Sequence, residues 1–153
     1  MKNLCWALLA CAGLGVRAQD LSEAAVKATV DSFFEGFHNR DTTAMKAVLG
    51  ESVILQTVAV NPEGQTLFRS EAMADFTRSI ASIPDTVQIE ERLLDYKIRI
   101  DGRMAHAWTP YEFYLRGAFS HCGVNSFQMY HDGDRWRIIY IVDTRRRQGC
   151  QGQ

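Results

Sequence analysis

The residues best suited to chemistry lie in the last third of the chain, on strand faces that otherwise read as apolar. In the segment 119–131, Phe127 and Met129 mark one face of a strand, and the same parity carries His121, Gly123 and Asn125. A histidine and an asparagine on a buried face must either be hydrogen-bonded within the core or meet a ligand. Gly123 between them removes a side chain, which either makes room for a ligand or eases strand curvature. In the segment 135–143, Trp136, Ile138 and Tyr140 share a parity, so Trp136 is expected in the core and the Tyr140 hydroxyl is expected to point into any cavity. Segment 103–115 has two readings because Pro110 interrupts its phase. One parity offers His106, Trp108, Glu112 and Tyr114, the other Tyr111 and Phe113. An inward Trp108 or Tyr111 would give a flat aromatic wall for a planar ligand. Asp143 ends the last strand, where an ion pair with Arg145 or Arg137 competes with any chemical role.

Other chemistries find little support. The four histidines, His38, His106, His121 and His131, show no i, i+4 pair and no HExxH arrangement, so no metal site is expected. A Gly-rich phosphate loop and a nucleophile elbow are both missing, and no cofactor is expected. With 17 Lys+Arg against 18 Asp+Glu, the chain has no basic footprint for nucleic acid. Its one basic run, Arg145-Arg146-Arg147, sits in a polar tail.

The elements that must position these residues follow from periodicity. Val26, Val30, Phe33, Phe34 and Phe37 form one stripe of an amphipathic helix over about 21–39, opened by a capping-box-like Asp20 and Glu23. Asp41 caps a short helix with Met45, Val48 and Leu49 inward, closed by Gly50. Residues 53–60 read as a strand, 61–64 as a turn and 65–69 as a returning strand. Ser70 is expected to cap a third helix with Met73, Phe76 and Ile80 inward, ended by Pro84. From Val87 the apolar parity runs through Ile89, Glu91 and Leu93, then shifts to Leu94, Tyr96, Ile98 and Ile100. That shift predicts a β-bulge near 93–94. Asp101-Gly102, Arg116-Gly117 and Asp132-Gly133 are turns joining strands 103–115, 119–131 and 135–143. Helices followed by a bent antiparallel meander give an α+β class, with the Phe-rich helix filling the concave face of the sheet.

The ends suggest export. Met1-Lys2-Asn3 is a positive n-region, Leu4 to Gly15 is apolar or small, and Val16-Arg17-Ala18 fits a cleavage site. Residues 1–18 are therefore expected to be a signal peptide, 19–150 the domain and 151–153 a tail. Removing the leader takes Lys2 and Arg17, leaving 15 basic against 18 acidic residues. Leu8-Leu9-Ala10-Cys11 resembles a lipobox, so lipidation at Cys11 is the alternative route to a membrane. Cys122 and Cys150 remain in the domain. In an oxidising compartment an even pair suggests a disulfide, which would need a short reversal of the tail.

The order helix–helix–strand–helix–bent sheet resembles the nuclear transport factor 2-like cone fold, with N-terminal helices packed in a strongly curved antiparallel sheet. Trp108-Thr-Pro-Tyr-Glu-Phe113, Ser120-His-Cys-Gly-Val-Asn-Ser-Phe127, Trp136-Arg-Ile138 and Asp143-Thr-Arg145 resemble its exported bacterial lumazine-binding branch. The resemblance covers about residues 21–150 and implies a cone pocket for a small apolar or heteroaromatic molecule. Phe34, Trp108, Tyr111, Glu112, His121, Asn125 and Tyr140 are the expected lining. Related isomerases and dehydratases imply a second reading. In it Asp143 or Glu112 acts as base, and His121, Tyr111 or Tyr140 as donor. A third reading is a dimerising module with a filled cone. Val124, Ile139 and Ile141, expected on the outer sheet face, would form its homodimer surface.

Overall fold

The computed structural model describes residues 20–150. The proposed leader, Cys11 and the tail 151–153 lie outside the described residues. The first helix, α1 (Glu23–Asn39), is capped by Ser22, whose hydroxyl accepts from the Ala25 N–H, rather than by Asp20, which holds the Ser22 N–H instead. Its stripe Val26, Val30, Phe33, Phe34 and Phe37 is buried, and each such side chain contributes roughly 2 kcal/mol. Asp41 caps α2 (Thr42–Ala47) by accepting from the Thr43 and Ala44 N–H groups. That helix stops before Gly50, because Leu49 already opens β1 (Leu49–Val60).

β2 (Thr66–Ala72) is longer than the sequence pattern suggested. It runs through Ser70, so α3 (Met73–Ala81) starts later and has no side-chain cap. The expected bulge near 93–94 is present as a break between β3 (Ile89–Leu93) and β4 (Lys97–Asp101). Three residues there, 94–96, oppose two on β5 (Met104–Leu115). β6 (Ala118–His131) and β7 (Trp136–Arg145) complete the sheet in the order β2-β1-β7-β6-β5-β3, with β4 also paired to β5. Among the described strands, β1 and β7 alone pair in parallel.

Further irregularities bend the sheet. Ser120 is an extra residue in β6 opposite Phe113/Tyr114, and Ile139 is an extra residue in β7 opposite Gln128/Met129. β1 carries its own register shift against β7 between Leu49 and Ile54. The concave face holds α1, which packs against β3, β4, β5 and β7, while α3 closes the side over β1 and β2. Phe33 and Phe34 meet Phe127 edge-on, and Phe37 stacks on Phe76 at 6.2 Å. Among the described residues no helix is long and apolar enough to cross a membrane. Cys122 and Cys150 form a disulfide with Cα atoms 5.9 Å apart. Arg146 first pairs with Cys122 as an isolated bridge, and Gly149 at φ +67° then reverses the tail.

Candidate functional site

On β5 the odd parity faces inward: Ala105, Ala107, Thr109 and Tyr111 are buried, and Phe113 packs against the core. This settles the phase left open by Pro110. Trp108 therefore lies on the outer face, 42% exposed, and is not a wall of the cavity as expected. Glu112 also points outward. It is buried near Cys122, where its Oε2 accepts from the Tyr114 hydroxyl and its Oε1 has no partner among the described residues. The extra residue Ile139 reverses the parity of β7. Tyr140 consequently faces out and donates to Gln56, while Ile141 and Asp143, not Tyr140, point in. Ile141 is thus a core residue, which corrects its expected place on the outer surface.

A cavity of about 200 Å³ remains between α1, α3 and the sheet. One wall is aromatic: Phe33, Phe34 and Phe37 from α1, Phe76 from α3, and Phe113 and Phe127 from the sheet. The other end is polar, with Glu91, Tyr111, His121, Asn125, Asp143 and Arg145. Of the residues expected from sequence, Phe34, Tyr111, His121, Asn125 and Asp143 come together here.

Asp143 is the centre of the polar end. Its Oδ1 accepts from the Thr57 hydroxyl at 2.6 Å, and its Oδ2 from Arg145 Nε at 2.7 Å and the Tyr111 hydroxyl at 3.1 Å. The Tyr111 hydroxyl also lies 3.0 Å from the Thr144 carbonyl. Burial, followed by the Asp143 charge, raises the Tyr111 pKa far above its ordinary value, so it remains a phenol. Gly123 is needed for this approach. A Cβ there would sit 1.7 Å from the Thr144 carbonyl oxygen and 2.8 Å from the Tyr111 ring. Its missing side chain makes room for protein atoms rather than for a ligand. His121 packs against Phe113 at 5.0 Å and Tyr111 at 5.8 Å, with Nδ1 3.1 Å from the Ser120 hydroxyl. Burial first, then the Arg145 charge, lowers its pKa, which favours the neutral ring.

Glu91 is the functional candidate that sequence reasoning passed over. It sits on β3 beside Phe113 of β5, and Asn125 Nδ2 donates to its Oε1 at 2.7 Å. Burial, with a smaller push from Asp143, raises its pKa from 4.5 to about 7. Its backbone N–H donates to His38 Nε2 at 2.9 Å, which requires an unprotonated nitrogen there, and burial lowers the His38 pKa accordingly. The signal was available: Glu91 shares its parity with Ile89 and Leu93, a carboxylate on an apolar face. The site thus holds two carboxylates in unlike settings, Asp143 with three donors and Glu91 with one. A carboxyl group that titrates near neutrality can both accept and return a proton at working pH. No group of three potential metal ligands occurs among the described residues.

No family model matches the chain, and no curated protein matches it. Solved structures do. An NTF2-like protein of unknown function from Shewanella baltica aligns with a TM-score of 0.56 at 12% identity, over 80% of this chain and 92% of its own. A candidate dehydratase of the NTF2-like family from Streptomyces avermitilis aligns at 0.58 and 15% identity, over 80% and 94%. An NTF2-like protein from Cytophaga hutchinsonii aligns at 0.62 and 13% identity, over 80% and 97%. The chain has the NTF2-like fold, an α+β cone of helices held in a curved sheet.

Proposed function

We propose that this chain is an exported protein of the lumazine-binding-like type that holds a small, largely apolar or heteroaromatic molecule in its cone. The observation that carries this reading is the cavity itself, with phenylalanines at one end and hydrogen-bonding groups at the other. Its volume of about 200 Å³ falls below the ~300–1,000 Å³ of drug-sized sites, so the ligand is about one ring in size. The disulfide between Cys122 and Cys150 supports an oxidising compartment. Native mass spectrometry of the protein purified from a periplasm tests the proposal. A retained small-molecule adduct supports it; a bare mass, together with no stabilisation by any single-ring compound, overturns it.

A second reading is cofactor-independent acid–base catalysis in the same cavity, as in an isomerase or dehydratase. Glu91 favours it, as a half-buried carboxyl group with a pKa of about 7 beside the phenol of Tyr111, and so does the structural likeness to a candidate dehydratase. Loss of turnover in Glu91→Gln and Asp143→Asn, with folding retained, is its signature. We also propose a homodimer through the outer sheet face. Ile54 and Phe68 on that face are 56% and 62% exposed, and Trp108 adds to them.

A further inference from the structure

We infer that the cone selects a small organic cation, an ammonium or protonated heteroaromatic ring that sits on Glu91 with its body among the phenylalanines. This inference rests on the pocket reading above and names its ligand class. Glu91 stands where the inner cavity meets an outer groove lined by Asp31, Phe34, Glu35, His38 and Tyr96. Asn125 holds one carboxylate oxygen and leaves the other without a hydrogen bond among the described residues. No Lys or Arg of the described chain lies within ion-pair distance of it.

The nearby groups do not fill that gap. Arg145 from β7 faces the same cavity and its charge favours the Glu91 carboxylate, but as the smallest influence on that group, and its ion pair, Nε at 2.7 Å, is with Asp143. His38 from α1 offers Glu91 a lone pair rather than a proton, and burial keeps His121 of β6 toward its neutral form. The Tyr111 hydroxyl of β5 is directed at Asp143 and Thr144. Across the groove, Lys27 is paired with Asp31 at 2.6 Å and lies over the Tyr96 ring, while Tyr96 donates to Asp31. Glu35 adds a further negative charge on that side.

A carboxylate largely withdrawn from water with no ion-pair partner at contact distance is costly, and either a proton or a ligand cation relieves that cost. The remaining walls fit the second choice, because phenylalanine faces attract a desolvated cation. An anion entering the same cavity would meet two carboxylates, Glu91 and Asp143, against the one guanidinium of Arg145, and a neutral ring would gain from Glu91 a hydrogen bond but no ion pair. Cation and proton then compete for one group, so affinity should fall as pH drops through about 7.

Calorimetric titration of the disulfide-intact protein with benzylamine, benzyl alcohol and benzoate tests this at pH 6 and pH 8. Benzylamine should bind best at pH 8 and about tenfold more weakly at pH 6, since a group of pKa about 7 is largely protonated at the lower value. Benzyl alcohol should bind more weakly, with no pH dependence, and benzoate weakest. In Glu91→Gln the preference for the amine over the alcohol should vanish, with thermal melting reporting that the variant is folded. Equal binding of amine and alcohol, or an amine preference that survives Glu91→Gln, overturns the cation inference and leaves the pocket standing. Preference for benzoate overturns it in favour of an anion at Arg145. Binding of none of the three overturns both the inference and the pocket reading.

Discussion

Replacing Glu91 with Gln should stabilise the protein, and the gain should grow with pH. In the folded chain the carboxyl group binds its proton up to about pH 7, whereas the unfolded chain releases it near 4.5. Between those values the native state carries more protons than the unfolded state, so stability falls as pH rises through that window. At ~1.4 kcal/mol per pH unit the interval converts to roughly 3 kcal/mol as an upper bound, and water reaching the open oxygen reduces it to about 1–3 kcal/mol. Gln keeps an acceptor for Asn125 Nδ2 and removes only the ionisation. Urea denaturation followed by tryptophan fluorescence at pH 4.5 and pH 8 measures the difference. His38 and His121, with lowered pKa values, shift stability in the opposite sense below pH 6.5, but they are common to both proteins and cancel. Parallel stability profiles for wild type and Glu91→Gln over this range would refute the claim that the folded protein bears the cost of an unpaired carboxylate.

Three further outcomes follow from packing and topology. Gly123→Ala should cost about 3 kcal/mol or more in chemical denaturation, because the new Cβ falls 1.7 Å from a backbone oxygen that the sheet holds in place. Reducing Cys122–Cys150, 28 residues apart, should cost about 3.5 kcal/mol by loop entropy, measured as the urea midpoint with and without reductant. Asp at Ile54 or Phe68 should convert the proposed dimer to monomer in light scattering and change monomer stability by under ~0.5 kcal/mol, since both side chains are exposed within one chain.

The fold was readable where one pattern excluded the others. The stripe from Val26 to Phe37 fits a helix and nothing else, and the β6–β7 hairpin announces itself through Asp132-Gly133 and two long apolar runs. The break between β3 and β4 was equally legible, because the apolar parity itself changes at Leu93–Leu94. In β7 the same kind of irregularity left no trace. Ile138, Ile139, Tyr140, Ile141 and Val142 are all apolar, so either phase satisfies the pattern, and the extra residue Ile139 could not be located. One unplaced residue then turned every later side chain to the wrong face, exchanging Tyr140 for Ile141.

That bulge also explains why Asp143 works as the centre of the site. Without Ile139 as an extra residue, the parity that buries Trp136 and Ile138 would carry Tyr140 and Val142 inward, and Asp143 would face out. With it, Asp143 and Arg145 both turn into the cone, opposite the position where Gly123 lets Tyr111 approach. The polar end is therefore a product of irregular backbone, at Ile139 and at Gly123, set against a regular aromatic helix face. The bulge brings Asp143 in to join Glu91 of β3, and Arg145 makes its ion pair, at 2.7 Å, with Asp143 while its charge acts on Glu91 only from farther off. Glu91 is left without an ion pair among the described residues, so the predicted rise in stability of Glu91→Gln with pH and the proposed preference for a cation rest on the same side chain.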